Sequence, residues 1–251
     1  MGFALLLLSS TEGWSSIKGL QKAQSFEKIM RHFLPIVCLA LVAACKPQMS
    51  ADIYAGDILE VAETGKSLEM PVRMGLPIQD EKKCGENKDK MLPALQKYGK
   101  GVKFLSCKDV KGAMSDLLIV EMTAEIVKAP ESGVATVAGM FGVSVTQSND
   151  GSLVVNFIKT DNVDKAVKEI DKNYQFQNVV LEDIELKIRF NNDLRKTIKY
   201  EIEGSFVNDN PVDAPTIFEL KRRGMIEIVP SNVKSQSMIK TGNARFARLM
   251  L

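Results

Sequence analysis

The chain has 251 residues, of which 45% are hydrophobic and 25% charged, and its 33 basic and 31 acidic residues leave a net charge of +2. So small a net charge provides no global field that would recruit nucleic acid or anionic lipid headgroups. The sequence contains one histidine, His32, and one tryptophan, Trp14. A Ser-His-Asp or Cys-His catalytic unit, or a histidine-ligated metal site, would therefore have to use His32.

The first element in chain order is an apolar run over residues 33–44, which follows Arg31. A membrane-spanning helix needs about 20 apolar residues. A positive charge, a shorter apolar core and small residues at its end are instead typical of a secretory signal peptide. We therefore predict a signal peptide at 30–44 that starts at Met30, and we interpret residues 1–29 as an upstream extension that is not made.

The end of this signal resembles the lipobox of bacterial prolipoproteins, because Val42, Ala43, Ala44 and Cys45 supply an aliphatic residue, two small residues and a cysteine. The resemblance implies diacylglycerol on the Cys45 sulfur and cleavage between Ala44 and Cys45. Two or three acyl chains anchor a protein stably in a lipid bilayer, since each buried methylene contributes about 0.8 kcal/mol. The alternative is an ordinary signal peptidase that cuts the same bond and releases a soluble exported protein.

The residue after the cysteine, Lys46, bears on which membrane holds the protein. In Gram-negative lipoproteins an aspartate there implies retention at the inner membrane, so the lysine implies the outer membrane, facing the periplasm. Loss of residues 1–44 removes four basic and two acidic residues, which leaves 33 − 4 = 29 basic and 31 − 2 = 29 acidic residues. His32 and Trp14 are lost too. We therefore expect no histidine-based catalysis, no metal, no cofactor and no nucleic-acid partner.

Two cysteines, Cys84 and Cys107, remain after the signal and the anchor are set aside. An even number of cysteines in an oxidising compartment indicates a disulfide. Cys84 precedes a polar helical start and Cys107 ends a strand-like run, so the bridge would join a helix to the sheet. Two unconnected thiols, or a two-cysteine metal site, are the alternatives.

The mature chain is predicted to begin with a lipidated polar tether at 45–57, followed by a folded part that consists mainly of strands. From Leu68 to Ile78 every second residue is apolar, which indicates a strand with one buried face. Pro71 and Pro77 lie on the opposite face and cannot donate a hydrogen bond to a neighbouring strand. This strand is therefore predicted to be an edge strand or a bulged one.

Alternation of apolar and polar residues recurs further along the chain. It predicts a strand at 120–126 and a hairpin around Asp150-Gly151, whose dipeptide suits a tight turn. It also predicts one long hairpin from the runs at 184–190 and 198–206, and a final strand at the C-terminal ARFARLML.

Only two or so short helices are predicted. One has Val163, Ala166, Val167 and Ile170 at helical spacing behind Asp161 or Asn162 as the cap. The other contains Leu92, Leu95 and Tyr98, with Pro93 near its first turn and Gly99 at its end. The expected fold class is α+β, a mainly antiparallel sheet with these helices packed on it. KAPESG suggests a division into two subdomains, 58–130 with the disulfide and 131–251.

The best acid pair in the sequence is Asp183 and Glu185, which lie two residues apart on one strand face and could hold a cation or act as acid and base. A solvated sheet face is the simpler interpretation, because Lys187 and Arg189 continue it as cross-strand charge partners. The basic clusters at 194–196 and 220–224 could contact phosphate, lipopolysaccharide or an acidic patch of a partner. Charged turns that serve solubility alone are the simpler interpretation of both clusters. We assign no catalytic residue.

Through ACKP, SADIY and GKSLEMPVRMGLPI the chain resembles uncharacterised lipoproteins of enteric bacteria and their prophages. The resemblance implies no known activity. We expect a non-enzymatic envelope lipoprotein that contacts another envelope protein, of the kind involved in superinfection exclusion. The alternative is a histidine-free hydrolase or sugar-binding protein that uses Asp183 and Glu185.

Overall fold

The structure is a computed structural model that describes residues 46–250 except 79, 111–114, 132–134 and 174–183. The described residues form thirteen strands and four helices. The strands are β1 Gln48–Tyr54, β2 Leu68–Ile78, β3 Lys100–Lys108, β4 Asp116–Lys128, β5 Phe141–Gln147, β6 Leu153–Lys159, β7 Glu185–Asn191, β8 Ile198–Ile202, β9 Ser205–Val207, β10 Asn210–Val212, β11 Thr216–Leu220, β12 Met225–Pro230 and β13 Asn243–Met250. The helices are α1 Ala55–Thr64, α2 Cys84–Tyr98, α3 Asp161–Asn173 and α4 Asn232–Thr241, and a 3₁₀ turn covers Glu81–Lys83.

All described strands belong to one sheet, in the order β10-β9-β12-β7-β1-β2-β4-β5-β6-β13-β8-β11, with β3 paired to β4 beside this path. Only the pairs β1–β7 and β4–β5 are parallel. The prediction of an α+β fold built on a mainly antiparallel sheet is therefore confirmed. The described helices number four rather than two, because α1 and α4 were not predicted. None of them is long and apolar enough to cross a membrane.

The sheet curls strongly around its core. Phe190 of β7 and Tyr200 of β8 lie far apart in the strand order, yet their ring centroids are 4.5 Å apart. The ring of Phe246 in β13 stacks on Phe190 at 5.5 Å. All three side chains are at most 1% exposed. Strands from opposite ends of the order thus meet over one core, and contacts of aromatic rings at such distances add stability beyond their buried area.

Most of the predicted tether is in fact folded. Residues 48–54 form β1 in the middle of the sheet, where Met49, Ala51 and Ile53 are buried in alternation. Residues 55–64 form α1, which ends at Gly65 in the left-handed region with φ +71°. The prediction was wrong because the polar residues of this stretch all lie on the outward face of a half-buried strand, a pattern too short to stand out from a tether.

The strand at 68–78 is confirmed as β2, but it is not an edge strand. It lies between β1 and β4, and β4 pairs with it along its full length. Strand β1 pairs only with residues 72–75 of β2. Pro71 and Pro77 therefore flank the segment that β1 covers, which explains how an internal strand accommodates two residues without a backbone N–H.

The hairpin at Asp150-Gly151 is confirmed as β5–β6, with Gly151 at φ +82° in its turn. The long hairpin from 184 to 206 is wrong in its pairing. Both strands exist, but β7 pairs with β1 and β12, whereas β8 pairs with β11 and β13. Alternation fixes which face of a strand is buried and says nothing about its partner.

Two details of the helices also differ from the prediction. Helix α2 begins at Cys84, so Pro93 lies inside it rather than near its first turn. Helix α3 begins at Asp161, and the Thr160 hydroxyl oxygen, not Asp161 or Asn162, caps it by accepting a hydrogen bond from the Asn162 N–H at 3.3 Å. The C-terminal run forms strand β13, as predicted.

A disulfide joins Cys84, the first residue of α2, to Cys107 near the end of β3. It closes a segment with a sequence separation of 23 and so links the helix to the sheet. The sheet itself continues across residue 130, because β4 pairs with β5 and β1 pairs with β7. Strands from 58–130 and 131–251 therefore share one sheet.

Candidate functional site

The predicted sites fall partly outside the described residues. Ala44, Cys45 and Asp183 are not described, so the lipidation site and one member of the acid pair lie outside the structural account. The described chain starts at Lys46, one peptide bond after Cys45. Glu185, the other member of the acid pair, is the first residue of β7.

Glu185 lies directly beside the start of the described chain. Its backbone N–H donates to the Pro47 carbonyl oxygen at 2.8 Å, and it pairs with Gln48 in the parallel β1–β7 ladder. Its side chain is exposed. On the same strand face, Lys187 forms an ion pair with Glu227 at 3.2 Å and Arg189 forms one with Asp52 at 2.8 Å. The face that carries Glu185 is thus an ion-paired sheet surface, as the simpler interpretation of the sequence expected.

A groove of about 370 Å³ opens beside Lys46. We call it the Lys46 groove. The start of β7, the end of β12 and the first turn of α4 form its walls, and Phe206 of β9, 43% exposed, closes one side. Its lining combines polar and apolar side chains from Lys46, Ile184, Glu185, Phe206, Val229, Pro230, Ser231, Asn232, Ser235 and Gln236. Glu185 also borders a second groove of about 280 Å³ on its other side.

The helical wall of the Lys46 groove is fixed by hydrogen bonds around the start of α4. The Ser231 side chain caps the helix by accepting a hydrogen bond from the Lys234 N–H at 3.3 Å. The Lys234 ammonium turns away from the groove lining and donates to the Glu203 carbonyl oxygen at 2.5 Å. Burial lowers the pKa of Lys234, an effect that the nearby Glu203 carboxylate opposes. This lysine therefore supports the wall rather than offering a free charge.

The structure brings the two basic clusters of the sequence together at the other end of the same strands. The buried Asn192 side chain donates to the carbonyl oxygens of Lys196 at 2.8 Å and Leu220 at 2.7 Å, and accepts from the Leu194 N–H at 3.0 Å. Its backbone N–H donates to the Gly224 oxygen, and its backbone oxygen accepts from the Arg223 N–H. One residue, through its side chain and its main chain, thus joins the loop at 192–197 to the loop at 220–224.

We call the exposed cations of these two loops the basic surface. It comprises Arg195, Lys196, Lys221, Arg222 and Arg223. Each cluster was recognisable in the sequence, but nothing there indicated that they meet, because Asn192 lies in a polar run, NND, that is typical of a solvated turn. Only its burial, at 1% exposed, distinguishes it from the neighbouring polar residues.

The described residues contain no group of three or more His, Cys, Asp or Glu side chains placed to hold a metal ion. A family model described as a domain of unknown function, DUF7424, matches residues 48–249. No curated protein and no solved structure matches the chain. The match begins at the first residue of β1 and ends within β13, so it covers nearly the whole described sheet, the basic surface and the Lys46 groove except Lys46 itself.

Proposed function

This chain belongs to the DUF7424 family, and we propose that it is a lipid-anchored binding protein of a bacterial cell envelope. In this proposal Cys45 carries the lipid, the protein faces the periplasm from the outer membrane, and it acts by binding another envelope protein rather than by catalysis. The sequence resembles lipoproteins of enteric bacteria and their prophages, and this resemblance favours a role in superinfection exclusion.

One structural observation carries the proposal: the fold begins almost at the proposed anchor. Strand β1 starts at Gln48, and the Pro47 carbonyl oxygen already accepts a hydrogen bond from Glu185 in β7. A lipid on Cys45 would therefore be attached to the centre of the sheet through two residues, with no flexible tether between them. Such a connection would hold the Lys46 groove next to the lipid surface and point the far ends of β1, β7 and β12 away from it.

The binding role is supported by how the charges around Glu185 are used. Lys187 and Arg189, on the same face, are engaged by acidic residues of neighbouring strands. These ion pairs join neighbouring strands of the sheet. Glu185, the one acidic residue of β7, is left in a position to contact a ligand. Glu185 lines the Lys46 groove, which keeps the alternative of a histidine-free hydrolase or sugar-binding protein open to experiment. Under that alternative the wild type binds or hydrolyses a sugar, and substitution of Asp183 and Glu185 by their amides abolishes this activity. Under ours the wild type does neither, and Glu185→Gln weakens binding of the partner.

The decisive measurement is the intact mass of the membrane-extracted protein. Wild type is compared with Cys45→Ala and, as a matched control, with Cys38→Ala in the signal core. We expect a chain that starts at Cys45 with a lipid-sized mass increase in wild type and in Cys38→Ala, and no lipid in Cys45→Ala. An unlipidated chain from Cys45, or an intact chain from Met1, would refute the anchored form of the proposal.

The binding half of the proposal needs a separate test in cells. Photo-activatable cross-linkers at Gln236 in the Lys46 groove and at Glu63 on the exposed side of α1 compare a candidate surface with a control position. We expect a reproducible cross-linked envelope protein at Gln236 only, together with a changed sensitivity to phage when the gene is deleted. Equal cross-linking at both positions and an unchanged phenotype would count against a binding role.

A further inference from the structure

The basic surface has more positive charge than the fold requires. The two loops carry five cations and, in Asp193, one anion, which gives 5 − 1 = +4. Asp193 is already engaged, because its carboxylate accepts the Gly56 N–H at the start of α1 at 2.8 Å. Nearby Glu219 pairs with Lys199 at 3.1 Å. Among the described residues, no ion pair engages any of the five cations of the basic surface.

Keeping these cations together works against stability. Like charges that share a small surface repel one another. Arg223 in addition adopts φ +61°, in the left-handed region that a residue with a side chain enters at a cost of about 1–2 kcal/mol. Strained backbone clusters at binding and catalytic sites, so the strain at Arg223, together with the charge repulsion, points to a role of this loop in binding.

Two exposed apolar side chains border the basic surface. Tyr54 of β1 and Met225 of β12 both pair with Asn191 of β7, so they lie on neighbouring strands at the same level of the sheet. They are 44% and 49% exposed. Tyrosine, methionine and arginine are the residues enriched at the centres of protein interfaces, whereas a surface that serves solubility is rich in lysine and glutamate.

The position of the basic surface argues against a lipid headgroup as its ligand. Lys46 lies two residues before Gln48, the first residue of β1, and Tyr54 is the last, so the two ends of β1 are about 20 Å apart at about 3.3 Å per residue. A lipid attached one residue before Lys46 would therefore leave the basic surface on the side that points away from the membrane. A carboxylate-rich ligand in the aqueous compartment fits this position better.

From these observations we infer that the basic surface docks an acidic surface of another folded protein, with the arginine side chains on its carboxylates and Tyr54 and Met225 packed beside them. Guanidinium groups bind carboxylates through two parallel hydrogen bonds. This inference adds to the proposed binding role a second contact surface, at the opposite end of β7 from the Lys46 groove, and names the partner class that it binds; it rests on that role. The binding of carboxylates does not depend on lipidation at Cys45, but the choice of a protein over a lipid headgroup as the ligand does.

The test measures binding of fluorescent poly-L-glutamate to the processed full chain, extracted in a non-ionic detergent. The variant Arg195→Glu/Lys221→Glu/Arg222→Glu reverses three exposed cations and leaves the left-handed Arg223 unchanged. Its matched control, Lys66→Glu/Lys108→Glu/Lys168→Glu, makes the same charge change at exposed positions elsewhere. Circular dichroism and urea unfolding establish that both variants are folded.

We expect poly-L-glutamate to bind wild type and the control within twofold of each other, to bind the test variant at least tenfold more weakly, and to dissociate with added salt. Arg223→Gly should bind more weakly while raising the urea midpoint, because it removes a charge and relieves strain together.

No binding, or an equal loss in the control variant, would overturn the inference. Preferential binding to vesicles of phosphatidylethanolamine and phosphatidylglycerol, lost in the test variant, would overturn it in favour of a membrane ligand. The intact mass of the protein in the same sample shows separately whether Cys45 carries a lipid, and so whether the anchored form of the proposed function holds.

Discussion

The two ends of strands β1, β7 and β12 are built in different ways. At the Lys46 end the groove is shaped by main-chain pairing, such as the bond from the Glu185 N–H to the Pro47 oxygen, and by the start of α4. At the other end the basic surface depends on one buried residue, Asn192, whose side chain makes three hydrogen bonds within and between the two loops and whose main chain makes two more to the second loop. The first arrangement distributes its support over the backbone, and the second concentrates it in one residue. Single substitutions should therefore affect the two ends very unequally.

The largest effect is expected for Asn192→Ala. The substitution leaves two carbonyl oxygens and one N–H without their partner, and each such group costs about 1–3 kcal/mol when it is buried. Lys196 is at the surface, where water can hydrogen-bond to its carbonyl oxygen and reduce the cost. We therefore expect a decrease of about 3–4 kcal/mol in the free energy of unfolding, measured with urea. Asn191→Ala is the matched control, since the Asn191 amide makes only a bond of 3.4 Å to Arg189. A similar loss in both variants would show that Asn192 has no special role.

Removal of the disulfide should lower the free energy of unfolding of the protein. It should not destabilise the Lys46 end or the basic surface selectively. For a loop with a sequence separation of 23, the chain-entropy model predicts about 3 kcal/mol. We expect Cys84→Ser/Cys107→Ser, and wild type under reductant, to unfold at the same lower urea concentration. Hydrogen exchange at the Leu194 and Arg223 amides should keep its protection relative to the rest of the sheet. Selective loss of protection at these two amides would mean that the disulfide, and not Asn192 alone, supports the basic surface.

A smaller effect, which depends on pH, is expected away from both ends. The Lys100 ammonium, 2.6 Å from the Glu125 carboxylate, and the Ala138 N–H hold the pKa of Glu125 below its usual 4.5. The stabilisation from Glu125 is therefore fully present above about pH 4.5 and is lost as the pH falls through the lower pKa of the folded state. Glu125→Gln should cost about 1 kcal/mol at pH 7 and less at pH 3, as measured by urea unfolding. In the exposed Glu63→Gln control we expect no such pH-dependent difference.

The smallest effect is expected at the Lys46 groove. The Ser235 hydroxyl donates to the Pro230 oxygen at 3.4 Å, a long and weak hydrogen bond. Ser235→Ala should therefore change the free energy of unfolding by about 0.5 kcal/mol or less, as measured in the same urea assay. A loss comparable with that of Asn192→Ala would contradict the contrast between the two ends.

The strands could be located from sequence because each buries one face. Alternation at 68–78 and 184–190 is a local property, and both stretches are strands. Pairing is not local: β7 joins β1, more than a hundred residues earlier, instead of β8, which follows it. Helix α1 was missed because only four of its ten residues are buried, which gives a weak periodic signal in a short segment.

The candidate surfaces were predictable only in part. Both basic clusters and Glu185 were identified from the sequence as charged positions. Whether they form a binding surface depends on which residues the fold places beside them. Asn192 brings the clusters together, and its role becomes visible only through its burial and its hydrogen bonds to Lys196 and Leu220. A polar residue in a turn and a polar residue that joins two loops have the same local sequence signature.

The place of β13 in the sheet constrains the order in which the protein can fold. This strand, residues 243–250, lies between β6 and β8 and brings Phe246 onto Phe190. During synthesis, the part of the chain made before it can form local hairpins such as β5–β6, but β8 and β11 have no strand pairing with the other described strands until β13 is added. Long-range strand pairing of this kind folds slowly. Completion of the core therefore waits until residues 243–250 have been made, and a chain without them would expose unpaired strand edges that are prone to aggregation.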